Sequence, residues 1–183
     1  MRKWILFCLI AALGCTAQSL RADAVDVGLA NFSNCLPFGC ATANFITEYQ
    51  QVYSSSSFFS HTIPFDIAAV SFFTTLDPTP EMMTPGTYTI IFSTTSAPVG
   101  GLDTITLSNN VGLVGSQVFF SGTLGGTVGT DLTIGGNGAT PIFVYDPTQG
   151  NLLLDITISS PGQDTGITFD AETPSSLMSR AAP

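Results

Sequence analysis

The chain has 183 residues, with four Lys or Arg against thirteen Asp or Glu and a formal net charge of −9. Arg2, Lys3 and Arg21 all precede residue 25, so the rest of the chain sets twelve acids against a single cation, Arg180. Such a chain cannot neutralise phosphate backbones, which excludes ordinary nucleic-acid binding, and it has nothing with which to seek an anionic membrane.

Arg2 and Lys3 open the sequence, and an uncharged run follows from Trp4 to Ser19. This basic-then-apolar profile is that of a secretory signal peptide, and Ala22 and Ala24 in "SLRADAVDV" supply the small-x-small pattern for cleavage after Ala24. Cys15 after Gly14 is the rival processing site, for lipidation. Ala12-Leu13 stand before it in the wrong order for that motif. The apolar run is shorter than the roughly 20 residues of a membrane span, so no span is expected in the mature chain. The expected organisation is a signal peptide at 1–24, one domain at 25–172, and a flexible polar tail without a strand at 173–183.

Past the signal, the only cysteines are Cys35 and Cys40, in "NCLPFGC". With a Pro and a Gly between them they suit a small disulfide loop in an exported protein. Half a metal site is the rival, but the whole chain offers only His61 as a further ligand of the soft type. No metal and no cofactor are expected.

The stretch "YQQVYSSSSFF" (49–59) carries rings and amides without charge. If 49–53 is a strand, Tyr49, Gln51 and Tyr53 share one face. That face is either a small stacking platform for a glycan, or a packed surface whose hydroxyls reach backbone groups at an edge. The packed alternative is favoured, since the only tryptophan, Trp4, falls within the signal. His61 with Asp66 offers two parts of a hydrolase triad, but nothing singles out a nucleophile and G-x-S-x-G is absent. The chain therefore reads as non-enzymatic.

From residue 65 onward short β-branched and aromatic segments alternate with turn residues. Strands are predicted over 65–75, 86–96, 116–124, 130–136, 140–146 and 151–160, the pattern of an all-β antiparallel sandwich of jelly-roll type. Three prolines make 76–86 a loop, and 101–112 reads as a loop with a short helix that Asp103 is able to cap. The glycines of "GTLGGTVGTD" and "IGGNGATP" read as hairpin turns. Without a lysine they form no P-loop, and a single "GGNGAT" with Thr140 in place of Asp is a poor calcium-roll repeat. "YDPTQGN" is a turn built by Asp146, Pro147 and Gly150. In the strand after it, Ile156 and Ile158 are expected in the core, with Asp155 and Thr157 facing water.

Taken in order, "NCLPFGC", "EYQQVYSSSSFF", "VSFF", "GTYTIIFSTTSAPVGGLD", "FFSGTLGG" and "FVYDPTQGNLLLDI" resemble a group of bacterial exported proteins, many of which carry a C-terminal PEP-CTERM sorting signal. The resemblance spans roughly residues 25 to 180. It implies a secreted or cell-surface protein of a Gram-negative bacterium in an exopolysaccharide or biofilm setting, with extracellular polysaccharide or surface proteins as partners. It attaches no catalytic role to any of these residues. The sequence given stops at "SRAAP", without the Pro-Glu-Pro, apolar run and basic cluster of the sorting signal. The expected function is a structural or interaction role at the surface or in the matrix. The alternative is a carbohydrate-binding module using Tyr49 and Tyr53.

Overall fold

The computed structural model describes residues 23–40, 46–60, 64–112, 115–160, 166–173 and 175–182. These form β1 (Phe32–Asn34), β2 (Glu48–Tyr53), β3 (Phe65–Ile67), β4 (Ala69–Phe73), β5 (Glu81–Thr95) and β6 (Gln117–Val128). They continue as β7 (Asp131–Gly135), β8 (Phe143–Tyr145), β9 (Asn151–Ser160), β10 (Phe169–Ala171) and β11 (Met178–Ala181). A five-stranded antiparallel sheet runs in the order β11-β2-β9-β5-β6, and three two-stranded ladders, β1-β10, β3-β8 and β4-β7, complete the fold. The protein is an all-β, sandwich-like single domain.

Strand β9 owes its central place to its composition. An apolar run opens it, and Leu152 to Ile156 and Ile158 are all buried, as expected of a strand covered on both faces. One face of the sheet and the ladders share a single core. Phe92 meets Phe119 and Phe143, at centroid separations of 5.0 and 5.5 Å, and Phe58 meets Tyr145 at 5.2 Å.

The disulfide loop feeds this core. Cys35 and Cys40 are bonded, with Cα atoms 5.1 Å apart, and the turn they close drives Phe38 inward. Phe38 then meets Phe72, Tyr88 and Phe169 edge to face at 5.0, 5.2 and 5.6 Å, a geometry that aligns ring edges with ring faces.

Several elements differ from the sequence expectation. Residues 65–75 make two strands, because β3 pairs with β8 while β4 pairs with β7. The proline-rich 76–86 is only partly loop. Strand β5 already starts at Glu81, and Pro85 lies at the register shift between Met83 and Gly86. An irregularity in the ladder tolerates a residue without an N–H.

Most glycines of "GTLGGTVGTD" lie within β6 and not in a hairpin. A Cβ on Gly125 would come 2.6 Å from the Pro85 Cα, so the two backbones approach too closely for any side chain. The polar tail also holds a strand. Residues Met178–Ala181 pair antiparallel with β2 at the edge of the main sheet. Its composition resembles a loop because half of an edge strand's surroundings is solvent.

The region 101–112 is a loop with one short 3-10 turn, Leu107–Asn110. Asp103 accepts from the amides of Ile105 and Thr106 ahead of it. At "YDPTQGN", Asp146 accepts from the Thr148 amide at 2.9 Å, and Gly150 takes a φ of 143°.

Candidate ligand cleft

Strand β2 alternates along its length. Tyr49, Gln51 and Tyr53 point to one side of the sheet, and Glu48, Gln50 and Val52 to the other. The first set forms the floor of a cleft of about 1050 Å³ between the main sheet and the β1-β10, β3-β8 and β4-β7 ladders. Its walls mix aromatic rings with aliphatic and acidic side chains. Phe58 and Phe169 are buried, Phe65 and Phe72 partly so, while Phe32 and Phe73 show 48 % and 43 % of their surface to solvent.

The floor is neither a flat platform nor a sealed core. Tyr49 keeps only 3 % of its surface exposed, and its hydroxyl donates to Gln51 Oε1 at 2.7 Å. The Gln51 amide in turn donates to Met178 Sδ at 3.0 Å, and Gln51 and Tyr53 stay partly exposed. Burial pushes the Tyr49 hydroxyl up to about 12, against a smaller opposing pull from the nearby Arg180 guanidinium. Tyr53 is raised as well, first by burial and then by Tyr49 beside it.

Arg180 reaches this place through β11, where it stands opposite Gln51 in the register with β2. A lone cation near the end of the chain gives no hint of it in the sequence, because the polar composition around it does not announce a strand. The acids of the cleft differ in how far they are engaged. Asp170 accepts from the amides of Thr75 and Leu76 at 2.9 and 3.0 Å, and Glu172 accepts from the Ser175 hydroxyl at 2.6 Å. Asp66 is exposed at the rim. His61, its supposed partner in a triad, lies outside the described residues, as do Cys15 and the expected signal peptide up to Ala22. Among the described residues no three His, Cys, Asp or Glu are grouped to hold a metal, and no helix is long and apolar enough to cross a membrane.

The opposite face of β2 carries an arrangement that the alternation of β9 did not lead one to expect. Asp155, read as facing water, is buried at 7 % exposure. The reason is the loop over 101–112, which covers this face of the sheet. Gln50, fully buried, stands opposite Asp155 and donates to its Oδ2 at 2.9 Å. The same amide nitrogen reaches the Leu107 carbonyl at 3.2 Å and Glu48 Oε1 at 3.3 Å.

No family model matches the chain, no curated protein matches it, and no solved structure matches it. The resemblance to the exported PEP-CTERM group therefore rests on the sequence motifs themselves.

Proposed function

We propose that this is an exported, non-catalytic binding protein of the bacterial surface or extracellular matrix, and that it meets its ligand in the cleft above Tyr49, Gln51 and Tyr53. The observation that carries the reading is the cleft itself, with a volume of about 1050 Å³ and a lining in which Phe32, Phe73 and several buried rings stand among aliphatic and acidic side chains. Concave, mostly apolar sites with a few convergent polar groups are where proteins hold ligands. Phe32 and Phe73 offer exposed rings at the walls, and Gln51 and Arg180 offer polar contacts at the floor. Rings beside amides and hydroxyls suit a short stretch of polysaccharide, whose apolar ring faces stack while its hydroxyls hydrogen-bond. The signal-like start, the Cys35–Cys40 bond and the motif resemblance support the extracytoplasmic setting.

This reading moves the sugar site from an exposed tyrosine platform to an aromatic trough. The test is electrophoresis of the purified protein through gels containing exopolysaccharide from a biofilm-forming Gram-negative bacterium. Retardation that grows with polysaccharide concentration is expected. Mobility unchanged across a panel of such polymers refutes the glycan ligand and leaves the purely structural role.

A further inference from the structure

The floor face of β2 serves the cleft; its reverse face holds two carboxyl groups against one another. A single amide nitrogen, that of Gln50, contacts both Asp155 Oδ2 and Glu48 Oε1, so the two acids cannot be far apart. The second oxygen of Asp155, Oδ1, is buried and has no hydrogen-bond donor among the described residues, which is costly for an ionised carboxylate. Glu48 and Asp155 are near enough to influence one another's titration. A proton carried by Glu48 would supply the donor that Asp155 lacks.

The same amide ties down the loop above. Asn110, itself buried, donates from Nδ2 to Gln50 Oε1 at 2.8 Å and to the Asp103 carbonyl at 2.9 Å. Its Oδ1 accepts from the Asp103 amide at 2.7 Å. These bonds fix the orientation of the Gln50 side chain, so its nitrogen must face the two acids and the Leu107 carbonyl. Loop, glutamine and carboxyl pair form one connected set, and its weakest member is the pair.

Among the described residues no cation faces it. From β2 the facing group is Glu48, from β9 Asp155, and from β5 the uncharged Ile91, which is paired with Asp155. The loop contributes Asp103, half-buried and already engaged by the amides of Ile105 and Thr106 and by Asn109 Nδ2. Arg180 stands opposite Gln51 and approaches Tyr49, on the other face of the sheet.

We infer that Glu48 and Asp155 share one proton and act as an acid-set latch, holding the 101–112 loop on the sheet when protonated and loosening it when both are ionised. The direction of titration agrees. Burial foremost, then the neighbouring Asp155, raises Glu48, and burial raises Asp155 against the opposing hydrogen bonds of Gln50 and Glu48. A carboxyl whose folded value is raised contributes stability below its unfolded value, and that stability is lost as pH rises through the folded one. The latch therefore tightens on acidification, opposite to the usual behaviour of a hydrogen-bonded carboxylate.

The test follows amide protection of Ile105, Thr106 and Asn109 by hydrogen exchange, corrected for intrinsic rates, from about pH 4 to about pH 8, a window that runs upward from the ordinary carboxyl values. Protection should fall as pH rises, by about tenfold for each unit that the shared proton is held above its ordinary value. Glu48→Gln, with a permanent donor for Asp155 and no second charge, should flatten the profile. Asp155→Asn should flatten it too. A wild-type profile already flat, or one with the same slope in Glu48→Gln, overturns the latch. Restoration of neutral-pH protection by calcium chloride also overturns it, since the pair would then be a cation site. A carboxyl carbon titration of the unaltered protein guards against a variant that fails to fold. Two groups both titrating in the ordinary range refute the shared proton.

Discussion

Tyr49 donates its hydroxyl to the side chain of Gln51, two residues along the same face of the same strand, at 2.7 Å. The cleft floor is thus set in place before any ligand arrives. Tyr49→Phe should lose about 1 kcal/mol, the net worth of an ordinary hydrogen bond. Tyr49→Ala should lose about 3 to 5 kcal/mol, because the ring is buried. Urea unfolding of both variants measures the difference. Equal losses would mean that the ring contributes nothing beyond its hydroxyl.

Alkali should act on the same residue. Tyr49 is pushed up to about 12 by burial, and Tyr53 and Tyr145 are also raised. A raised folded value means that the unfolded chain sheds its protons first as pH climbs. Stability is therefore intact below about pH 10, the ordinary tyrosine value, and falls as pH rises from there towards the folded values. Tyrosinate absorbance recorded alongside circular dichroism should show these residues ionising together with unfolding. Full ionisation of all four tyrosines near the ordinary value, with the fold intact, would contradict the buried floor.

The disulfide loop separates a covalent contribution from a packing one. Cys35→Ser should cost about 2 kcal/mol, since so short a loop restricts the unfolded chain little. Phe38→Ala should cost more, about 3 to 5 kcal/mol, because Phe38 is buried among Phe72, Tyr88 and Phe169. Thermal midpoints of the two variants rank the effects. A reversed ranking would make the bond, and not the ring it presents, the purpose of the motif.

These residues also show how far the sequence could be read. Strand β9 was legible to the residue, because Asn151 to Ser160 combines an apolar run with a turn of known chemistry before it. The disulfide and the short turn within 101–112 were legible for similar local reasons. Asp155 was misread because alternation reports which residues share a face, not what covers that face. Only the loop bearing Leu107 and Asn110 makes its side of the sheet an interior. Strand β11 was missed because four residues at a sheet edge need little hydrophobicity once β2 supplies the ladder. With β11 went the position of Arg180, and with that the character of the cleft. Tyr49, Gln51 and Tyr53 were correctly grouped on one face, but whether that face met solvent, core or a trough depended on the ladders opposite.

The claim that this cleft is the binding site is tested most directly by Phe32→Ser combined with Phe73→Ser. Both rings line the cleft and both are partly exposed, so their loss should alter the walls without emptying the core. Polysaccharide retardation and thermal midpoint are to be measured on the same preparation, beside the unaltered protein. We predict that retardation disappears while the midpoint stays close to that of the parent. Retardation that persists in full in a stably folded double variant would contradict the cleft as the ligand site.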